Sequence, residues 1–316
     1  MKIATLEIFM IKSFLKNDLL YFFKSKQLLI FTTLITLIFG VTIFLNYSSA
    51  KKYYAGFQKN YIDSIENGLD VDEIMSMGYE IETSNDVTVL KNPLPYYYEK
   101  TIDSITALQP NSLIGTIYAT VPFSAAFIIS ILGVVSVTED IKNKTIKSYV
   151  IMYGKKIYIL LKILATIIRV SFLLTISTLL AFMIDIPFVI SLKQKIQIDI
   201  PNITIPIHSL ITQIFFAFFI FITYSILGFL LATLLRNALI ASLFFWIESL
   251  LPFNQKYLID SIINSIVATI YNFNGNFATI TGTVSLDVFS YILLVITPVV
   301  SILLSVLIFQ KKSAYV

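Results

Sequence analysis

Four stretches of this chain run without a single Asp, Glu, Lys or Arg for as long as a membrane is thick: Leu28 to Leu45, Ser104 to Thr138, Ser209 to Leu235 and Val288 to Gln310. Crossing about 30 Å of hydrocarbon at 1.5 Å per residue takes about 20 apolar residues. The apolar body of the second run lies between Leu113 and Val137. A fifth run, Ile157 to Ile184, is apolar but holds Lys162 and Arg169; a sixth, Asn237 to Phe253, is short, contains Glu248 and ends against Pro252. Composition agrees, with 57% hydrophobic and 13% charged residues, about half the charge that coats a soluble domain. The absence of cysteine excludes a disulfide scaffold. The expectation is an all-α membrane protein with six transmembrane helices.

Orientation follows from where Lys and Arg fall between the runs. With the N-terminus cytoplasmic and six crossings, 14 of the 23 cations lie inside with only Glu7, Asp18, Glu139 and Asp140, while eight lysines and fifteen acids lie outside. The net +4 thus resolves into about +10 inside and −7 outside, with Arg169 left in the membrane. Two opposed charge layers leave no reason to read the basic balance as nucleic-acid binding, and two Lys-rich termini require an even number of crossings. Glu7, Lys12 and Lys16 interrupt any secretory signal. Leu6, Phe9, Met10, Phe14, Leu20 and Phe23 can share one face instead, as in an amphipathic helix lying in the headgroup plane.

The expected plan is an interfacial helix over 1–27, crossing one over 28–47, an extracellular insertion over 48–112, crossing two over 113–137 and a cytoplasmic hairpin over 138–156. Crossing three follows over 157–185, an outside loop over 186–208, crossing four over 209–235, crossing five with a broken outer-leaflet helix over 237–286, crossing six over 287–310 and a cytoplasmic tail over 311–316. The insertion holds ten of the nineteen acids. Within it, Lys51 to Leu69 reads as a helix with Gly68 as its stop, and Asn92 to Tyr98 as an extended or turn segment, because each proline disfavours helix in its predecessor. Tyr96, Tyr97 and Tyr98 suit an interfacial aromatic belt or a substrate-contacting wall. Beyond Pro252, Gln255 to Leu286 is too polar to face lipid, and reads as a helix dipping into the outer leaflet before a turn at Asn274 and Gly275.

Catalytic and metal signatures are missing. The GK pair at Gly154 and Lys155 has no upstream glycine and no following Ser or Thr, so it is no phosphate-binding loop. One histidine, His208, with no cysteine makes no metal site. Arg169 and Glu248 each fall mid-membrane, about 18 and 16 Å in at 1.5 Å per residue. A charge there costs at least about 2.5–3.5 kcal/mol, so the two are expected to form an interhelical ion pair or to line a wet pathway. Lys162, about 7 Å in, is expected to snorkel to the cytoplasm and need no partner.

The segment Thr138 to Lys162 (TEDIKNKTIKSYVIMYGKKIYILLK) opens with acids, forms a short helix-like unit over Thr145 to Met152 that includes Ile146 and Tyr149, and turns at Gly154 before Lys155 and Lys156. A short helix on a hairpin between two crossings is a knob that another protein can grip. Here the chain resembles the permease subunits of type-2 ATP-binding-cassette exporters, whose connection reads as Glu, polar residues, Gly-Thr, a short helix, a Gly or Pro turn, a basic residue, then Lys. Glu139, Thr145, Gly154, Lys155 or Lys156, and Lys162 fit; Lys144 stands where that pattern has Gly. The resemblance covers nearly the whole topology. It implies a bacterial plasma-membrane half-transporter that pairs with a second permease and with separate cytoplasmic ATPase subunits, which bind the ATP and Mg; the chain itself binds no cofactor. ATPase coupling would fall to Glu139, Thr145, Ile146, Tyr149, Gly154, Lys155 and Lys156. An amphipathic cargo, a peptide, bacteriocin or drug, suits the acidic, aromatic insertion better than sodium or polysaccharide. The alternatives are a non-transporting scaffold or sensor using that insertion, and an intramembrane enzyme, for which the crossings lack catalytic groups.

Overall fold

A computed structural model describes residues 2–84, 87–196, 198, 206–250, 257–271 and 284–311; within these, side chains at 2–10, 83–84, 87–88 and 245–250 are excluded. The described chain is almost entirely helical, and five of its helices are long and apolar enough to cross a membrane: Lys26–Glu66, Val121–Lys142, Lys155–Lys195, Ile207–Leu235 and Val288–Lys311. It is a multi-pass membrane protein.

Helix α1 (Lys2–Lys24) ends where Ser25 bends the chain and caps α2 (Lys26–Glu66), its hydroxyl accepting from the Gln27 amide. At 41 residues, α2 is about 60 Å long, twice the hydrocarbon thickness. The separate helix expected over 51–69 is therefore the continuation of crossing one. It stops where the sequence predicts: Gly68 takes a φ of +69°, and the amides of Gly68 and Leu69 bond back to Ile65 and Ser64, the αL cap that glycine favours. Beyond it come α3 (Val71–Ser76), a hairpin of β1 (Glu80–Ser84) and β2 (Val87–Lys91) pairing Glu80 with Lys91, and α4 (Pro93–Thr106). The expectation of an extended Asn92 to Tyr98 is wrong. Pro93 and Pro95 start a helix, because first-turn amides have no intrahelical acceptor to lose. Helix α4 lies along the C-terminal half of α2, with the Tyr97 ring filling the space a Cβ on Gly56 would need.

Crossing two starts later than expected. Helix α5 (Pro110–Tyr118) stops before Pro122, which cannot donate to the carbonyl four residues back. The span proper runs through α6 (Val121–Ser124), a π-helical turn (Ala125–Ile129) and α7 (Ser130–Lys142). Helices α8 (Ile146–Tyr153) and α9 (Lys155–Lys195) follow. The outside loop expected from residue 186 is also corrected, since α9 continues through Pro187 to Lys195. Helices α2 and α9 run parallel: Gly40 meets Ile184, Phe44 meets Phe188, and the Tyr47 and Ser191 hydroxyls lie 3.2 Å apart, all at one sequence offset.

Helix α10 (Ile207–Leu235) packs on α7 at two glycines. A Cβ on Gly133 would stand 2.0 Å from the Ser225 carbonyl oxygen, and one on Gly228 2.0 Å from that of Ser130. Backbone meets backbone there, as small residues allow between membrane helices. Arg236, in the left-handed conformation, turns the chain into α11 (Ala238–Leu250). At 13 residues, α11 covers about 20 Å, so crossing five, expected from residue 237, is not among the five long helices. Helix α12 (Ile259–Ile270) runs antiparallel to α10: Asp260 at its start accepts from Tyr224, while Ile270 and Tyr271 at its end bond to Gln213. Pro252 and the turn expected at Asn274 and Gly275 lie outside the described residues. Helix α13 (Val288–Lys311) closes the bundle, with Phe309 against Tyr158. Hydroxyls inside the spans, such as Thr42, Ser136, Thr166 and Ser305, donate to carbonyls one turn back, which satisfies them within their own helix.

Candidate coupling site

The feet of α1, α7, α8 and α9 converge on a buried group of charges. Lys162 Nζ lies 2.6 Å from Asp18 Oδ1 and 2.9 Å from Asp140 Oδ2, with 3% of its side chain exposed. Arg169 Nη2 donates to the Asp18 carboxylate and, at 3.1 Å, to the Asp18 carbonyl. Its guanidinium carbon stands 5.1 Å from the centre of the Phe22 ring, within cation–π range. The Tyr158 hydroxyl donates to Asp140 at 2.6 Å. Two cations and two anions therefore share one buried site, and their charges balance.

This arrangement bears on three expectations. Lys162 does not snorkel; it sits between two carboxylates. Arg169 takes its carboxylate from Asp18 on α1, whereas the Glu248 side chain lies outside the described residues. Helix α1 packs against α9 over 14–23: Phe14 meets Tyr158, Asp18 meets Lys162 and Arg169, and Phe23 meets Phe172, in the same order along both helices.

A sequence signal for Asp18 existed. Phe14, Asp18 and Phe22 are spaced by four, so the acid shares the apolar stripe of α1 and must be buried with it. Phe14 and Phe22 are 2% and 0% exposed, and the carboxylate between them needs buried cations. On α9, Tyr158 and Lys162 share a face by the same spacing.

Helix α8 is clamped to this group. Thr145 precedes it, and its hydroxyl lies 3.4 Å from both the Asp140 carbonyl and its carboxylate. Ile146 and Val150 are buried. Tyr149 stacks on Tyr158 with centroids 5.9 Å apart and planes 12° apart, and Phe14 meets Tyr149 and Tyr153 edge-on at 5.3 and 5.4 Å. Each such pair is worth about 0.5–1.5 kcal/mol beyond its buried area. Burial pushes the Tyr149 phenol above its ordinary pKa. Glu139 faces the other side of α7, accepting from Gln27 Nε2 at 2.9 Å, and its hydrogen bond raises the Tyr21 phenol.

Two turns fix the hairpin. The amides of Lys144 and Thr145 bond back to Ile141 and Asp140, with Lys144 at φ +57°. A lysine thus occupies a left-handed position that favours glycine. Lys144→Gly is expected to stabilise the chain by about 1 kcal/mol, read as a higher melting temperature in detergent. Gly154, at φ +77°, separates α8 from α9. Lys156 is exposed and Lys155 half-exposed, and the outer face of α8 carries Lys147, Ser148, Ile151 and Met152, with Ile151 74% and Met152 59% exposed.

The remaining sequence candidates lie elsewhere. Tyr96 and Tyr97 pack against Tyr53, Tyr96 also against Tyr79, and Tyr98 against Phe57, so the three rings bind α4 to the C-terminal half of α2. No group of His, Cys, Asp and Glu that could hold a metal occurs among the described residues. No family model, curated protein or solved structure matches the chain.

Proposed function

We propose that the chain is the membrane-spanning subunit of an ATP-driven exporter, similar to type-2 ATP-binding-cassette permeases, with α8 as the docking element for a separate cytoplasmic ATPase. The observation that carries this reading is the hairpin. A short helix, closed at one end by a left-handed Lys144 and at the other by Gly154, is buried on one face against α1, α7 and α9 and presents Ile151 and Met152 on the other. Exposed apolar residues beside Lys147 and Lys156 suit a protein groove. The departure at Lys144 from the family pattern is one of residue type, because the backbone there takes the conformation glycine would.

In this reading ATP-driven closure of the partner pair pushes on α8. The charge group ties α8's neighbours α1, α7 and α9 into one body, so the push reaches two spans and the N-terminal helix together. The ATP and Mg belong to the partner, a second permease completes the path, and α11 followed by α12 makes the broken fifth of six crossings, with both termini cytoplasmic. Placement in a bacterial plasma membrane and an amphipathic cargo, a peptide, bacteriocin or drug, complete the proposal.

Ile151→Glu with Met152→Glu tests the docking element. Both positions face outward, so insertion and yield are expected to stay within twofold, while a photo-crosslinker placed at Lys147 loses its adduct to an ATPase subunit. An adduct of unchanged intensity removes α8 as the docking element.

A further inference from the structure

Helix α9 carries a further buried acid outside the coupling site. Asp185 is 4% exposed, yet among the described residues no group donates to its Oδ1 and no cation pairs with it. Asp140, buried to a similar degree, has both Lys162 and the Tyr158 hydroxyl. By their spacing Thr178, Ala181, Asp185 and Leu192 share one face of α9. Helix α5 covers that face: the Tyr118 hydroxyl lies 3.0 Å from Thr178 Oγ1, and Ala181 and Leu192 belong to the core that holds Leu108 and Leu113. Asp185 stands about 35 Å along the helix from Lys162, roughly one hydrocarbon thickness, at the end of the bundle away from α8.

The other titratable groups at that end are engaged elsewhere or exposed. Tyr47 on α2 pairs with Ser191 and has Lys51 over its ring, Lys100 on α4 holds Asp103, Tyr271 after α12 donates to the Gln213 carbonyl, and Asp260 accepts from Tyr224. Lys52, Lys193, Lys195 and His208 are exposed. An ionised carboxyl alone in an apolar core is so costly that the group is neutralised instead. A metal cation does not fit that task, since hard cations take about six oxygen ligands. Ala181 and Leu192 have no polar side-chain atom, and the Thr178 hydroxyl is used by Tyr118 and the Leu174 carbonyl. A proton needs no second ligand. We infer that Asp185 is a proton-binding site, which holds its proton while α5 covers it and gives that proton to water, leaving a carboxylate, when α5 and α9 part. The same helix is tied to α8 through Lys162, so linking the release to an ATP-driven stroke rests on the export reading; the proton site itself does not.

Infrared difference spectra of the full chain in nanodiscs, wild type against Asp185→Asn, test the proton. The carbonyl stretch of a protonated carboxyl is expected in the wild type at neutral pH and is lost in the variant. Asparagine copies the neutral acid, so the variant is expected to fold and melt as the wild type does; a chain that cannot fold with it needs the charge of a carboxylate, which overturns the inference. Release is read at Ala181→Cys, the single thiol in a chain without cysteine, by its rate of reaction with a charged, water-borne thiol reagent. Dividing by the rate in the Asp185→Asn background removes the thiol's own titration. The ratio is expected to rise about tenfold per pH unit, the linkage of one proton to one opening. No stretch assignable to Asp185, or a ratio that stays flat with pH, overturns the inference. The Asp185 proton with no ATPase attached to α8 would sink the export reading alone; an attached ATPase with no such proton would sink this one alone.

Discussion

Asp18→Asn is expected to destabilise the folded chain by about 3–5 kcal/mol, the cost of leaving a buried charge without its partner. Asp18 is the one carboxylate that both buried cations touch; Lys162 keeps Asp140 when it is lost, whereas Arg169 keeps no carboxylate among the described residues. Two further guanidinium nitrogens, Nε and Nη1, already have no partner there, so nothing among the described residues takes up the charge. Removing both members of the pair, in Asp18→Asn with Arg169→Gln, should recover most of the loss. The measurement is thermal unfolding in detergent of the two single variants and the double. Losses that simply add would show that the two residues do not act as a pair.

The second large effect lies at the α7–α10 crossing. Gly228→Ala places a methyl 2.0 Å from the backbone oxygen of Ser130, and a backbone cannot step aside as a side chain can. Parting the helices would also expose the contacts around Val134 and Phe229. A loss of about 3 kcal/mol is expected, with Gly228→Leu failing to fold. Gly40 is the matched control: its Cβ would meet only Ile184 Cδ1 at 3.8 Å, an ordinary contact, so Gly40→Ala should leave the melting temperature within about a degree or two. Equal losses at the two glycines would refute the close backbone contact.

Residues differ in how much of this was legible beforehand. Long uncharged runs marked the spans because hydrocarbon tolerates little else, and Gly68 marked a helix end because its conformation is local. Pro93 and Pro95 misled because a proline reads alike in a turn and in a helix's first turn, and only the packing of Tyr97 on Gly56 decides. Arg169 was recognisable as a charge needing compensation, but its partner is 151 residues away in sequence, and no local spacing records such a distance. The fourfold spacing of Phe14, Asp18 and Phe22 did record that Asp18 is buried, and pairing the two charges that lack a local explanation would have found the site. Lys144 looked like a broken motif because sequence shows the residue and hides the backbone.

In the proposed function α8, braced by the buried charges, transmits ATP-driven motion from a separate subunit. This role is tested most directly by ATP hydrolysis in the complex purified from native membranes through this chain. Hydrolysis is expected in the wild-type preparation and falls at least tenfold in Ile151→Glu with Met152→Glu, while Asp18→Asn with Arg169→Gln retains the bound ATPase and loses its cargo stimulation. Hydrolysis absent from the wild-type complex, or present at the same level with α8 altered, would contradict it.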